Sequence, residues 1–445
     1  MNKKKIAVIG SGPAGLAAAS ACDQSDVKTI LFDLGKQHKE RKHTLADDLG
    51  IGIGGAGLFS DGKFSFFPSG SQIYKLENKS LIKDSYNWSS ILLDRFGIYS
   101  SSFPDIENAD ASNNSSNHTH LKEYLSSYGN FSQRKALTEE LAYLKNCSIH
   151  TNTKVCRIGK YKNQYLIDYN NEVLGTKERE VVDAIVLATG RLGNIFGRIM
   201  TSDIKLGYQG MRYEFGLRIE TPSNIGFLSR LKNPDVKMIW KTSFGEIRTF
   251  CTCREGEIWN IPYDRLSAMS GRSDGVKSGY SNFGLLLRFA DQGLTAGEKF
   301  FNTILASDTL KKRLVVWQTL DSFLNPHEKH LLENNIDQIQ RPWHPNKHFV
   351  NKSIAHVVGR DIYALFKEAV SVLLDWSPDL LNQQAAVLFP TIEGTGMYPS
   401  LNSNLQVNGE KIWCCGDVTG KFRGLVPAFV SGYYTGRCVL NSLEN

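Results

Sequence analysis

The sequence predicts an α/β protein: a parallel, doubly wound sheet assembled from separated stretches of chain, with a β-rich α+β domain inserted into it. Three observations predict it. An apolar β-branched run, Ile6 to Ile9, leads through a glycine-rich bend into the small, helix-forming stretch LAAASAC. A second apolar run, Thr29 to Leu34, carries Asp33 near its end. A third, Lys411 to Cys415 (KIWCC), again runs through glycines into a helix, close to the C-terminus. Strand–bend–helix units of this kind build Rossmann-like nucleotide-binding domains.

Bulk properties agree with an ordinary globular enzyme. The chain has 445 residues, 41% hydrophobic and 22% charged, which excludes disordered, collagen-like and coiled-coil classes. Its length suggests two or three domains, or one with large insertions. The net charge of +7 is mild for this length, and the short basic runs Lys3 to Lys5 and Lys39, Arg41, Lys42 give little reason to expect a nucleic-acid partner. No apolar stretch approaches the roughly 20 residues that span a membrane, so no membrane association is expected. The N-terminus superficially resembles a signal peptide, but its glycines fall where a phosphate-binding turn needs them. A mature N-terminus and a cytoplasmic location are therefore expected. The eight cysteines are dispersed, which argues against a disulfide framework.

The elements follow in order. Gly50 to Gly62 (GIGIGGAGLFSDG) holds six glycines, too many for regular structure and suited to a loop passing close to a ligand. Residues 68–145 read as a polar, partly helical insertion, with helices near Trp88 to Phe96 and His120 to Leu144 and a loop at 107–117. Strand pattern resumes at Ser148 to Ile158, and Val181 to Gly190 reads as one buried strand ending in a turn. Tyr213 to Glu220 alternates, with Tyr213, Phe215, Leu217 and Ile219 apolar and Glu214, Gly216, Arg218 and Glu220 predicting a polar face. Further strands are expected to about 290 and helices from 291 to 385. The layout assigns 1–67, 146–207 and 386–445 to a discontinuous nucleotide-binding domain and 208–385 to an inserted substrate domain.

Gly10-Ser11-Gly12-Pro13-Ala14-Gly15 carries the dinucleotide spacing GxGxxG. Gly10 makes the tight turn, Gly12 lets a pyrophosphate approach the backbone, and Gly15 lets helix and strand pack closely. The helix N-terminus offers N–H donors and a positive dipole end. Asp33, followed by Leu34, lies about 20 residues on, where a carboxylate accepts ribose hydroxyls. NAD and FAD domains share this opening, and two later features decide for FAD. Gly416-Asp417 ends an apolar strand and is followed by Gly420, Arg423 and Gly424-Leu425-Val426, which open a helix aimed at the pyrimidine end of a flavin. The loop Gly54-Gly55-Ala56-Gly57, running into Ser60, Asp61 and Lys63, has the composition to lie along pyrophosphate and isoalloxazine. Lys63 and Arg423 are candidates to balance phosphate or flavin charge.

IAVIGSGPAGLAAA, GIGGAGLFSDGKF, VLATGRLGN, YEFGLRIETP, IRTFCTCREGEIW and CCGDVTGKFRGLVPAFVSG together resemble the FAD-dependent dehydrogenases, a branch of the glutathione-reductase-like, two-dinucleotide-binding-domain flavoproteins. The resemblance touches about residues 1–65, 150–290 and 395–440. It implies FAD held by Gly10, Gly12, Gly15, Asp33, Thr189, Gly190 and Asp417, with Ala188 beside Thr189 and the main chain near Val155 flanking the adenine. Asp33 stands where the family more often has Glu, and Arg254-Glu255-Gly256 replaces its CPGG-like turn.

In the chemistry, flavin does the redox step and the protein supplies position and electrostatics for a small organic substrate. No second strand–GxGxxG–helix unit is present, since ATGRLGNIFG has the wrong spacing, so NAD(P)H is expected only as a transient reductant. Candidate catalytic residues are Cys251 and Cys253, which an extended strand would place on one face, and Arg218, suited to clamping a carboxylate or to stabilising reduced flavin. Burial of the cysteines in the core and an Arg218 solvated or paired beside Glu220 are the bland alternatives. Tyr263, Arg272 and Asn282 are candidates to line a pocket. His327, His330, His344 and His348 cluster, but Pro345 breaks the helix that would align the last pair, so no metal site is assigned. The mid-chain motif of flavin hydroxylases and the GxWxWxIP motif of halogenases are missing. An RNA-modifying flavoprotein and a non-catalytic flavin-binding protein are the competing readings. Substrate, electron acceptor and oligomeric state are not legible.

Overall fold

The computed structural model describes residues 3–105, 115–116, 119–193, 200–201, 203–204, 206–231, 235–273, 277–326, 341, 343 and 348–444. The chain forms two compact units. One comprises Met1–Asp110, Leu125–Gly210 and Gly396–Asn445, the other Ala111–Tyr124 and Met211–Thr395.

The first unit is built on a five-stranded sheet in the order Ile412–Cys414, Ala184–Leu187, Lys5–Ile9, Lys28–Phe32, Cys147–His150. Every pairing is parallel. Strands Lys5–Ile9 and Ala184–Leu187 are almost wholly buried, as a parallel sheet covered on both faces requires. The strand order reverses between these two, and in open α/β sheets the crevice at such a point, outside the carboxyl ends, is where ligands bind. Helix Leu425–Glu444 packs on helix Pro13–Asp23, and Gly432 and Gly436 let the backbones touch. A Cβ at Gly432 would lie 2.1 Å from the Ala14 carbonyl oxygen, and one at Gly436 would lie 2.5 Å from that of Ala18.

The single strand expected over Val181 to Gly190 is two. Thr176–Val182 belongs to a three-stranded antiparallel sheet with Gln164–Asn171 and Thr153–Tyr161, and Ala184–Leu187 belongs to the parallel sheet. Asp183 sits at the change, its carboxylate accepting from the Lys5 amide at 2.8 Å.

The expected insertion at 68–145 divides between the units. Residues 68–105 and 125–145 lie with the five-stranded parallel sheet, while strand Thr119–Tyr124 pairs antiparallel with Asp235–Thr242 in the second unit. The helix expected from His120 therefore begins only at Phe131, where Asn130 and Gln133 form a reciprocal capping box.

The second unit holds a nine-stranded sheet with Tyr208–Pro222 between Tyr280–Phe289 and Ala386–Pro399. Residues 386–395, expected in the nucleotide-binding domain, belong here. The stretch expected to be helical, 291–385, includes the strands Val315–Thr319 and Phe349–Asn351. Both faces of Tyr208–Pro222 are covered: Phe215, Leu217 and Ile219 are buried on one side, and Glu214, Arg218 and Glu220 are equally buried on the other. The predicted polar face is thus not solvated. Its charges are paired, Glu214 with Arg248 and Arg212, and Glu220 with Arg341 and the Trp343 indole N–H.

Candidate functional site

Gly10 turns the chain out of the first strand at φ +100°, and a Cβ there would lie 2.5 Å from the Ala188 carbonyl oxygen. Gly15 is tighter still, since its Cβ would meet the Gly10 carbonyl oxygen at 1.8 Å. Gly12 differs. It N-caps helix Pro13–Asp23 at φ −67°, a conformation open to any residue, and a Cβ there would meet nothing among the described residues nearer than the Gly55 Cα at 3.9 Å. Neither turn nor internal packing demands a glycine at Gly12, so its missing side chain leaves an open approach to the helix end. Among the described residues no side chain caps that helix, and no acid sits in its first turn, which leaves the first-turn amides for an anion.

Asp33, beyond strand Lys28–Phe32, is buried and oriented by this bend. One carboxylate oxygen accepts from the Ser11 amide at 2.8 Å and from its hydroxyl, the other from the Gly35 amide at 2.8 Å. Leu34 beside it is exposed. The Thr153 amide donates to the Asp33 carbonyl at 2.7 Å, which brings the start of the strand carrying Val155 to the acid. On the neighbouring strand end, the Ala188 amide donates to the Ile9 carbonyl at 2.8 Å. Thr189 Oγ1 is buried without a hydrogen-bond partner among the described residues, and Gly190 adopts φ +66° with nothing within 4 Å of its would-be Cβ.

The loop after Gly50 closes on the same bend. Gly54 and Gly55 adopt left-handed φ of +88° and +52° and open a one-turn helix, Gly55–Leu58. A Cβ on Gly55 would lie 2.7 Å from the Gly12 Cα. A Cβ on Gly57 would lie 2.7 Å from Pro13 Cγ and 2.9 Å from Leu425 Cδ2. Ala56 is exposed, and the Ser60 hydroxyl donates to the Gly57 carbonyl at 3.0 Å. Lys63, expected to balance cofactor charge, is buried with its ammonium 3.6 Å from Asp61.

Two arginines hold this loop, and sequence reasoning missed both. Arg41 donates to the carbonyls of Asp48, Ile53 and Gly55 and lies over the Phe59 ring, 5.1 Å from its centroid. Burial pushes its guanidinium down to about 10, with Asp33 and Asp48 holding it up, so it stays charged at neutral pH. Arg134 donates to the carbonyls of Leu58 and Gly129. An arginine in a mixed polar run looks like a solvated charge, and only the folded loop reveals carbonyls converging on it. Arg41→Gln is expected to cost about 3 kcal/mol by leaving buried carbonyls unpaired. Limited proteolysis should then cut within 50–62 well before wild type; equal cutting rates would refute the anchoring role.

His38, half-buried in the same unit, has its imidazole 3.3 Å from Glu139, yet burial pulls its pKa below the usual 6.5, outweighing that carboxylate. The unfolded chain therefore takes up this proton at higher pH than the folded one, and stability is lost as pH falls through about 6.5. His38→Gln should flatten that part of a urea-midpoint-against-pH curve; an unchanged slope would assign it elsewhere.

At the C-terminal motif, Gly416 adopts φ +70° and a Cβ there would lie 2.7 Å from the Ala14 Cβ. Arg423, the other expected charge-balancing residue, is turned onto Asp417, its Nε 3.0 and 2.9 Å from the two carboxylate oxygens. Gly424, at φ +107°, accepts from the Ala428 amide at 3.0 Å as the helix starts, with Leu425 over Gly57 and Val426 buried. The three separated glycine bends thus meet around Pro13, Gly57 and Leu425, which together with Leu16, Gly54 and Phe64 help line one small, mainly apolar pocket.

In the second unit, Arg218 is fully buried. Its Nε donates to Asn282 Oδ1 at 2.8 Å, and Nη2 donates to the Cys251 carbonyl at 3.0 Å. The solvated alternative for Arg218 is therefore excluded. Cys251 and Cys253 do not lie on a regular extended strand, because Cys251 has φ +48° and the pairing register shifts between Phe250 and Cys253. Burial raises the Glu220 carboxyl pKa, against the lowering effects of Arg341, Trp343 and Arg218. Tyr263 is buried with its hydroxyl on Thr395, Arg272 stacks 4.2 Å over Trp259, and Asn282 holds Arg218 and donates to the Gly256 carbonyl. These three side chains serve internal packing and bonding in this unit. Of the clustered histidines, His327, His330 and His344 lie outside the described residues.

No family model and no curated protein sequence matches the chain. Among solved structures it is similar to a p-nitrophenol 4-monooxygenase from Pseudomonas putida, at 10% identity over 99% of this chain and 80% of that one, TM-score 0.41. It is also similar to a flavoprotein/dehydrogenase from Cytophaga hutchinsonii, at 12% identity over 99% and 79%, TM-score 0.39. A third is CtdE in complex with FAD, at 10% identity over 100% and 89%, TM-score 0.37. Likenesses this distant decide nothing about chemistry, which rests on the residues above. Among the described residues no helix is long and apolar enough to cross a membrane.

Proposed function

We propose that the protein is an FAD-dependent oxidoreductase of the dehydrogenase type, acting between a small organic substrate and flavin. The observation that carries this reading is the meeting, within one unit, of the bend at Gly12, the loop at Gly55 and Gly57, and the helix start at Leu425. The residues present fit the cofactor: behind an open Gly12 a helix end with no side-chain cap among the described residues, an oriented and buried Asp33, and a Thr189 hydroxyl with no hydrogen-bond partner among the described residues. FAD, when bound, supplies a two-electron carrier that accepts hydride. The first-turn amides after Gly12 would hold its pyrophosphate. Asp33 would accept one ribose hydroxyl with the lone pair that Ser11 and Gly35 leave free. Asp417, already oriented by Arg423, would meet the ribityl chain, and the helix beginning at Leu425 would present its positive end to the pyrimidine edge. Gly55 and Gly57 keep side chains out of the space beside Pro13.

The purified protein is expected to be yellow and to release FAD rather than FMN on denaturation. Anaerobic bleaching with NADH, NADPH and a metabolite library then separates the chemistries. Bleaching by an organic metabolite supports the dehydrogenase reading. Bleaching only by a nicotinamide would move the reading towards an oxygen-activating enzyme, and a colourless protein that takes up no added FAD would end it.

A further inference from the structure

We infer that Cys251 and Cys253 form a redox-active dithiol that opens and closes by exchange with small-molecule disulfides, with the Arg218 guanidinium stabilising the Cys253 thiolate. The two sulfurs lie within 4.8 Å of one another. The backbone between them is specialised: Cys251 takes φ +48°, a region that costs a residue with a side chain roughly 1–2 kcal/mol. The strand bulges between Phe250 and Cys253. Arg218 holds this bend by donating to the Cys251 carbonyl, and the same Nη2 reaches Cys253 Sγ at 3.6 Å. Its Nε is fixed on Asn282, so the guanidinium does not swing away. Gly271 leaves the room they occupy: a Cβ there would lie 1.8 Å from Arg218 Nη2 and 2.5 Å from Cys253 Sγ.

Exposure divides the roles. Cys251 is half-buried and Cys253 fully buried. The Cys251 thiolate attacks one sulfur of an incoming disulfide RSSR, forming a Cys251–SR mixed disulfide and releasing RS⁻. Cys253, which donates its thiol proton towards the Cys251 carbonyl at 3.6 Å, loses that proton to solvent and attacks the Cys251 sulfur. The second RS⁻ leaves and takes up a proton. Two protein thiols are oxidised to one disulfide, and one RSSR is reduced to two RSH. Neither step needs a bound dinucleotide. The other buried thiols are poor competitors: burial pushes Cys22 and Cys414 up to about 12 and raises Cys415 as well.

Cleavage after Arg248 and Arg254 puts both sulfurs in one tryptic peptide, Thr249–Arg254 (TFCTCR). The full-length protein is equilibrated with reduced and oxidised glutathione at stepped ratios, or with hydroxyethyl disulfide as a smaller probe, then alkylated and digested. The expected product is this peptide without alkyl groups and two hydrogens lighter, returning to the doubly alkylated form on reduction. Closure should be at least about tenfold more favourable in the folded protein than in the same chain in urea. Cys253→Ser should trap the mixed disulfide on Cys251, and Cys251→Ser should give no adduct in this peptide. A doubly alkylated peptide at every ratio, a mixed disulfide in wild type that never closes, or equal closure in urea would each overturn the assignment.

Discussion

Gly12→Val is expected to remove the dinucleotide while leaving the fold standing. The backbone at Gly12 has an ordinary φ of −67°, and among the described residues a Cβ meets nothing closer than 3.9 Å. The two branching methyls would instead occupy the space in front of the uncapped helix end, where a pyrophosphate must come within hydrogen-bonding distance of the amides. Loss of flavin affinity of roughly 100-fold or more, about 2.7 kcal/mol, is expected, with an unchanged denaturation midpoint for apoprotein. The two readouts separate binding from folding. Undiminished flavin content in Gly12→Val would move the pyrophosphate elsewhere. Gly15→Ala is the opposite control: with its Cβ 1.8 Å from the Gly10 carbonyl oxygen, it should damage the bend itself and lower stability and flavin content together.

Gly432→Val should be strongly destabilising to the first unit. Its Cβ would fall 2.1 Å from the Ala14 carbonyl oxygen and 2.9 Å from the Ala14 carbonyl carbon and Cα. These are backbone atoms of helix Pro13–Asp23, which no rotamer change can move aside. The clash is relieved only by separating two helices in contact at Ala14, Ala18 and Ala21 in the core, at a cost of about 3 kcal/mol or more. The Leu425 end of the moving helix lies over Gly57, so flavin content should fall as well. Gly409→Ala calibrates the measurement: it has φ +76° but open space, so only about 1 kcal/mol of backbone strain is expected. Denaturant midpoints for the two variants that coincide would refute the close helix contact.

The glycine bends were legible because their reasons are local. Gly10 needs a left-handed φ, and the GxGxxG spacing follows from one tight turn feeding one helix. Asp33 was legible for the same reason, standing at the end of an apolar strand a fixed distance on. Arg41 and Arg134 were not, because their function is to collect carbonyls from a loop distant in sequence or structureless until folded. The alternation in Tyr213 to Glu220 was read correctly as a strand with one apolar and one polar face, but that the polar face is buried and paired was not legible. The pattern records which side chains are polar, and only the sheet places Arg248, Asn282 and Arg341 against them. The helix expected from His120 failed because residues 119–124 pair with a strand more than 100 residues away, and such a partner leaves no local signal.

The sequence by itself therefore determined the elements whose conformation is dictated within one turn of chain: the three glycine bends, the helices that follow two of them, and the acids beside them. Tertiary structure alone decided that these bends meet, with Gly12 against Gly55 and Gly57 between Pro13 and Leu425. It alone also bent the strand at Cys251 so that Arg218 faces both its carbonyl and Cys253. The physical reason is the range of the forces involved. Backbone sterics and capping act over a few residues and are written locally, whereas close packing and the pairing of buried charges depend on which distant segments become neighbours.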